Sequence, residues 1–123
     1  MTADTFRRLA LALEGAVEGV HMGHPDFRVN GKVFATLHAD DQRGAVKLTP
    51  EEQQEFIQQS PGAFAPASGA WGRQGYTNVQ LDAAVESLVR GALLLAWQNT
   101  MGQPRRRRSA TGAGSKASSR RRS

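Results

Sequence analysis

The chain has 123 residues, with 16 Lys and Arg residues, 11 acidic residues and no cysteine. This length predicts one domain, and the lack of cysteine excludes disulfides, thiolate metal sites and thiol nucleophiles. The charge is unevenly divided, because residues 105–123 carry a net +8 whereas residues 1–104 carry a net −3. The strongly basic character therefore belongs to a C-terminal segment and not to the predicted domain.

No apolar stretch approaches the ~18 residues that a membrane span requires, and the N-terminus lacks the basic and apolar regions of a signal peptide. We therefore expect a soluble, cytoplasmic protein that makes no membrane contact. A monomer is the favoured oligomeric state.

The first predicted element is a helix over residues 4–14. Its apolar stripe contains Phe6, Leu9, Ala10 and Leu13. Thr2 or Asp4 would cap its start, and Gly15 suits the left-handed conformation that follows many helices.

A β-hairpin is predicted next, because two runs rich in Val and Phe flank Asn30 and Gly31, which supply the positive φ angles of a tight turn. A two-residue loop would pair Val29 with Lys32 and leave apolar residues on both faces. A three-residue loop, which we favour, gives a cleaner alternation. It places on one face Phe27, Val29, Val33, Ala35 and Leu37, and on the other Arg28, Phe34, Thr36 and His38.

Two short strands are predicted on either side of this hairpin. The first covers residues 16–21, with Val17 and Val20 partly buried, and ends at the turn residues 23–25. The second covers residues 45–48 and completes a three-stranded meander.

The clearest local signal is a capping box at the start of a second helix. Thr49 is the N-cap, Pro50 the first helical residue and Glu52 the acceptor three positions after the cap. This helix should run to about residue 59 and bury Phe56 and Ile57.

The next segment, residues 63–75, is rich in Gly, Ala and Pro and predicts an irregular or edge strand followed by a turn. Residues 76–81 alternate again, with Thr77, Val79 and Leu81 expected in the core. Asp82 should cap a last, well-buried helix over residues 83–99.

This order of elements predicts an α+β fold, a two-layer sandwich with an antiparallel sheet and helices on one face. The domain should cover residues 1–101. Residues 102–123 lack large apolar side chains and should form a disordered, Arg-rich tail.

Short motifs spread over residues 4–100 carry a family resemblance. They are GAVE at 15–18, FRV at 27–29, GKVFA at 31–35, VKL at 46–48, PEE at 50–52, PGAF at 61–64, WG at 71–72, GY at 75–76, LD at 81–82 and AW at 96–97. In these motifs and their order the chain resembles the YjbR/MmcQ family of small bacterial proteins. The chain departs from the family at Tyr76, where Trp is usual, and in its Arg-rich tail.

The resemblance implies an α+β fold related to the frataxin/CyaY topology and to a "double wing" DNA-binding domain of a phage transcription factor. It also implies DNA binding, by analogy between folds.

The sequence contains no recognisable catalytic or metal-binding constellation. The spacing of His21, His24 and Asp26 matches no metal signature, and a polar loop is the simpler interpretation. No nucleophile elbow is present, and residues 72–75 lack the Lys-Ser/Thr ending of a phosphate loop. We therefore expect a protein that is not an enzyme and needs no metal or cofactor.

One candidate surface combines aromatic and basic side chains of the domain. It comprises Lys32, Lys47, Trp71, Arg73 and Tyr76. Such residues on one sheet face can stack bases and contact phosphates. In the competing interpretation Trp71 packs under the last helix and Arg73 is a solvated turn residue. The net −3 charge of residues 1–104 favours duplex binding only if charge segregates onto one face.

The tail is the stronger candidate for nucleic-acid binding. Its cations are Arg105, Arg106, Arg107, Arg108, Lys116, Arg120, Arg121 and Arg122. Eight charges without acids predict sequence-independent, salt-sensitive binding, with DNA favoured over RNA. The alternatives are a tail that only adds solubility, and a domain that binds a protein or small ligand and has no nucleic-acid role.

Overall fold

The computed structural model describes residues 1–38, 40 and 42–102. The elements in chain order are α1 (Ala3–Leu11), β1 (Val17–His21), β2 (His24–Val29), β3 (Lys32–Leu37), β4 (Arg43–Lys47), α2 (Pro50–Gln59), β5 (Phe64–Pro66), α3 (Gly69–Arg73), β6 (Tyr76–Gln80) and α4 (Glu86–Met101). The strands form one antiparallel sheet in the order β1-β2-β3-β4-β6-β5. The predicted α+β class is confirmed. The predicted disordered tail lies, from residue 103 onward, outside the described residues.

Helices α1, α2 and α4 cover one face of the sheet and enclose the core. The ring of Phe6 lies 6.1 Å from that of Phe27, and the ring of Phe56 lies 5.1 Å from that of Phe64. Gly44 of β4 makes room for Phe6, because a β-carbon there would stand 2.9 Å from the Phe6 ring. The buried apolar residues run along the chain from Phe6 to Ala96, so the core is built within the described part of the chain.

The β2–β3 hairpin has a two-residue loop, so the predicted three-residue loop is wrong. Asn30 and Gly31 have φ angles of 55° and 77°, and Val29 pairs with Lys32. The register shifts where Phe27 pairs with Ala35 but Arg28 pairs with Val33. This β-bulge adds one residue to β3, so that Ala35 and Leu37 are buried as predicted. Phe34, predicted on the opposite face with Arg28, is also buried, so that part of the prediction is wrong.

A second tight hairpin joins β1 to β2, with His21 opposite His24 and the turn at Met22 and Gly23. Here the expectation of partly buried valines is wrong, because Val17 and Val20 are 58% and 69% exposed. Their exposure follows from topology, since β1 is an edge strand at the end of the sheet.

Two helices begin where the local sequence predicts, and the last helix does not. Thr2 caps α1, and both hydrogen bonds of the predicted capping box between Thr49 and Glu52 are present. The last helix begins later than predicted. Residues Leu81–Ala83 form a 3-10 turn, and α4 starts at Glu86 without a side-chain cap.

Trp97 ties the last helix to the start of the chain. Its indole N–H donates to the carbonyl of Glu14 at 2.8 Å. Asn99 of the same helix donates to the carbonyl of Lys47 at 3.2 Å and to Glu52 at 2.9 Å. Helix α4 is therefore bonded to the segment after α1, to β4 and to α2, and the opposite face of the sheet remains uncovered by helices α1, α2 and α4.

Candidate functional site

The uncovered side of the sheet, here called the open face, is defined by the strand register. Residues directly opposite each other in antiparallel strands share a face. The pairs Gly19–Asp26, Asp26–Thr36, Thr36–Ala45 and Ala45–Asn78 therefore mark one side of the sheet. Core residues such as Phe27 and Val46 occupy the alternate positions.

A groove of about 550 Å³ lies on the open face. It is lined by Trp71 from α3, by Tyr76 from β6 and by residues of the first three strands and their turns, chiefly His21, Met22, His24, Asp26, Arg28, Val33, Thr36 and His38. This volume is within the range of small-molecule sites in proteins. The groove is therefore the candidate site in the described part of the chain.

Trp71 is a surface residue of this groove, which contradicts its placement under the last helix. Its side chain is 62% exposed, and its ring lies edge-on to that of Tyr76 at 5.2 Å. Burial raises the pKa of the Tyr76 phenol, so the ring stays neutral at physiological pH. One exposed indole beside a half-buried phenol gives the groove an aromatic wall.

A buried glutamine holds α3, and with it Trp71, against the sheet. Gln53 of α2 is 4% exposed. Its side-chain amide donates to the carbonyls of Gly72 at 3.1 Å and Tyr76 at 2.9 Å, and lies 3.3 Å from the hydroxyl of Thr77. A helix of five residues has little stability of its own. These long-range hydrogen bonds therefore fix the segment that carries Trp71.

Two glycines allow the backbone to pass closely at both ends of this segment. A β-carbon on Gly72 would overlap the carbonyl of Ala67, and one on Gly75 would overlap the carbonyl of Leu48. Gly75 also has a φ of 112°. Gly72 and Gly75 are thus required by close packing, whereas the sequence pattern indicated only a turn.

An ion pair between Asp26 and Arg28 occupies the β2 part of the groove. Nε and Nη2 of Arg28 donate to the two carboxylate oxygens of Asp26 at 2.8 and 3.0 Å. Asp26 is 2% exposed, whereas the side chain of Arg28 is 37% exposed. The hydrogen bond and charge of Asp26 raise the pKa of Arg28. The buried carboxylate thus holds an accessible guanidinium in a fixed orientation.

Two histidines of the groove meet in an edge-to-face contact. The rings of His24 and His38 are 6.2 Å apart and nearly perpendicular. Burial is the main cause that lowers the pKa of His38, the charges of Arg43 and His24 lower it further, and Asp40 opposes them. Near neutral pH His38 is therefore an uncharged side chain that can donate or accept a hydrogen bond.

The predicted surface residues are brought together only in part. Lys47 lies opposite Tyr76 in the β4–β6 pairing. The charge of Lys32 lies near enough to lower the pKa of Lys47, after the larger effect of burial. Arg73 is exposed at the end of α3 but does not line the groove. The predicted tail residues, from Arg105 to Arg122, lie outside the described residues.

Charge segregates between the two layers of the fold. Strand positions on the open face carry three cations, Arg28, Arg43 and Lys47. Asp26 pairs with Arg28, and Oδ2 of Asp40, which precedes β4, lies 3.6 Å from Nη2 of Arg43, so among the described residues Lys47 is the cation of this face that has no salt bridge. Five acidic residues lie instead on the helices, at Asp4, Glu51, Glu52, Glu55 and Glu86. The net −3 charge of the domain therefore does not describe its open face.

Sequence reasoning missed Arg28 as a site residue. It identified the strand but assigned no role to Asp26 and Arg28 as a pair. The alternation itself contained the signal, because residues two apart on a strand share a face, and opposite charges there are placed to pair.

Among residues 1–38, 40 and 42–102, no group of three or more His, Asp or Glu side chains is arranged to hold a metal ion. Over the same residues, no helix is both long and apolar enough to span a bilayer.

Comparison with known proteins finds a family and a fold. The sequence model that defines the YjbR family matches residues 11–99 of this chain. The crystal structure of the Deinococcus radiodurans protein DR2400, which contains the DUF419 domain, is similar with a TM-score of 0.69 and 21% identity, over 80% of this chain and 77% of that one. This likeness extends to the fold alone. No curated protein matches the chain significantly.

Proposed function

The chain belongs to the YjbR family, and we propose that it binds single-stranded nucleic acid through the open face of its sheet. The observation that carries this proposal is the exposed indole of Trp71, held edge-on to Tyr76, which in turn pairs with Lys47 across β4 and β6. An exposed aromatic ring beside basic residues is the usual platform on which single-stranded bases stack. In this proposal the protein acts by binding and not by catalysis.

The charges near the platform support phosphate contacts. Burial is the main cause that lowers the pKa of Lys47, and repulsion from the charge of Lys32 lowers it further. No described acidic side chain forms a salt bridge with either lysine. A bound phosphate would relieve this repulsion, whereas a neutral ligand would not. The aromatic wall and Lys47 therefore favour the same kind of ligand.

The tail has a separate role in this proposal. Residues 105–122 contain eight cations and no acid, so they add affinity for the phosphate backbone of any nucleic acid without selecting a sequence. The open face supplies stacking, and the tail supplies most of the electrostatic attraction. Single-stranded DNA is the favoured partner for both parts.

The test is fluorescence anisotropy of labelled single- and double-stranded DNA over a salt series, with the full chain and with residues 1–102. The shorter chain keeps every residue of the buried core, and a thermal unfolding curve checks that it folds. We expect the full chain to bind both DNAs with steep salt dependence. Residues 1–102 should keep weaker, less salt-dependent binding that prefers the single strand.

The matched variants separate stacking from charge. Trp71→Ala in residues 1–102 should weaken binding by about tenfold or more, in keeping with ~1–3 kcal/mol for stacking one base. Trp97→Phe, which alters the tryptophan on the helix side, should leave binding unchanged. Loss of all binding on removal of the tail would reject the open face as a nucleic-acid site.

A second candidate function is the binding of a small molecule or a protein segment with no nucleic-acid role. The volume of the groove, about 550 Å³, favours it, because this is the size of a small-ligand site. This function requires that DNA binding be absent from residues 1–102 while Trp71 still responds to a ligand.

A further inference from the structure

The arginine in the groove has hydrogen-bonding capacity that its ion pair does not use. A guanidinium carries five N–H donors. Asp26 accepts one from Nε and one from Nη2, which leaves the two on Nη1 and the second on Nη2. Two of these donors, one on Nη1 and one on Nη2, point side by side along the edge of the guanidinium away from Asp26, and this pair forms the fork that binds phosphate in a bidentate manner.

Asp26 and Gly19 fix the orientation of the Arg28 guanidinium. Asp26 is buried, so its carboxylate cannot turn away to solvent without losing both hydrogen bonds. Gly19, opposite Asp26 on β1, provides the space, since a β-carbon there would stand 2.8 Å from Oδ1 of Asp26 and 3.1 Å from Nε of Arg28. An ion pair that served stability alone would not require an accessible, pre-oriented guanidinium in a groove.

From this arrangement we infer that the groove binds a nucleoside monophosphate unit, with the phosphate at the free edge of Arg28 and the base against Trp71. The inference rests on the proposed function, because it takes the stacking of a base on Trp71 from it. The same groove is lined by both residues, and its volume suits one nucleotide. The unit can come from a free nucleotide or from the 5′-phosphorylated end of a strand.

The experiment uses the full chain carrying Trp97→Phe, so that Trp71 is its only tryptophan and reports directly on the groove. Adenosine monophosphate, adenosine and inorganic phosphate are titrated, and quenching of Trp71 is measured. We expect adenosine monophosphate to bind about tenfold or more tightly than adenosine, the difference that one charge-assisted bidentate contact supplies. Inorganic phosphate should displace adenosine monophosphate only weakly.

Two substitutions test the role of Arg28. Arg28→Lys keeps an ion pair with Asp26 but loses the fork, and it should bring adenosine monophosphate to the affinity of adenosine. Arg73→Gln removes one exposed cation outside the groove and should retain the full preference. Arg28→Gln is a second variant, and a thermal unfolding curve determines whether it is folded well enough to compare.

The source of the phosphate is identified with single-stranded oligonucleotides that carry a 5′ phosphate or a 5′ hydroxyl. Preference for adenosine monophosphate over adenosine assigns the site to free nucleotides. Preference limited to the phosphorylated strand assigns it to strand ends. The inference is overturned if neither preference exists, or if Arg28→Lys leaves the preference intact.

The proposed function and the phosphate assignment to Arg28 can be rejected separately. If Trp71→Ala weakens both oligonucleotides equally and Arg28→Lys weakens neither, the stacking platform stands and the phosphate assignment to Arg28 is wrong. If Trp71→Ala affects neither oligonucleotide, base stacking on the open face is wrong as well.

Discussion

Gly19 faces the carboxylate of Asp26 across the β1–β2 pairing, and a β-carbon at Gly19 would lie 2.8 Å from Oδ1 of Asp26. No side chain fits there without displacing the buried carboxylate or the guanidinium of Arg28 that it holds. The edge strand of the sheet thus determines the geometry of a charged pair on its neighbour.

Gly19→Ala is therefore expected to destabilise the protein by ~1–3 kcal/mol, the usual cost of overpacking a filled site. Chemical denaturation measures the free energy of unfolding. Gly62→Ala is the matched control, because a β-carbon at Gly62 meets nothing within 4 Å. Equal stability of the two variants would show that the pair adjusts without cost.

Gln53→Met should destabilise the fold by ~0.5–1.5 kcal/mol, because it keeps the volume of the side chain but removes its hydrogen bonds to the carbonyls of Gly72 and Tyr76, which keep only their backbone donors. It should also increase the mobility of Trp71, which time-resolved fluorescence anisotropy of the Trp97→Phe background would detect. Gln54→Met, on the exposed side of the same helix, should change neither quantity. An unchanged Trp71 anisotropy in Gln53→Met would mean that α3 is held by other contacts.

Met22→Asn should stabilise the protein by ~1 kcal/mol. Met22 has a φ of 54° in the β1–β2 turn, a left-handed conformation that costs most residues ~1–2 kcal/mol and that Asn adopts more easily. The side chain is 84% exposed, so little packing is lost. Met22→Ala serves as the control, because it keeps the backbone strain and should bring no gain. The midpoint of urea unfolding distinguishes them.

The stability of the protein should fall as the pH is lowered below 6.5, the ordinary pKa of histidine. The pKa of His38 is lowered in the folded protein, so the unfolded chain takes up this proton first and is favoured as the pH falls through that range. His38→Gln should lose this part of the pH dependence. Thermal midpoints at pH 7.5 and 5.5 measure it, and an equal decrease in both proteins would assign the effect to other groups.

The parts of the fold that were predictable from sequence are those fixed by neighbouring residues. The capping box at Thr49 needs only three following residues, and the turn at Asn30 needs only Gly31, so both were predicted correctly. The loop length was wrong, because the bulge opposite Arg28 depends on the register with β2. Distant packing creates that register, and no local pattern reveals it.

The same distinction applies to the candidate site. The aromatic and basic residues near Trp71 were found from their type, but the segment that carries Trp71 is held by Gln53, which donates to the carbonyl of Gly72 from a helix 19 positions earlier in the chain. The segregation of charge between the layers depends likewise on strand order. The composition gives only the net charge of residues 1–104, which is negative, whereas the net charge of the open face is positive.

The hydrogen bond from Trp97 to the carbonyl of Glu14 also bears on how the protein is made. Its two ends lie 83 positions apart, so a growing chain completes almost the whole sheet before α4 can close the core. The β1–β2 and β2–β3 hairpins are local and can pair early, while Phe6 and Phe27 remain without their last cover. During synthesis these apolar surfaces therefore stay exposed until α4, up to Trp97, has left the ribosome and can pack on them.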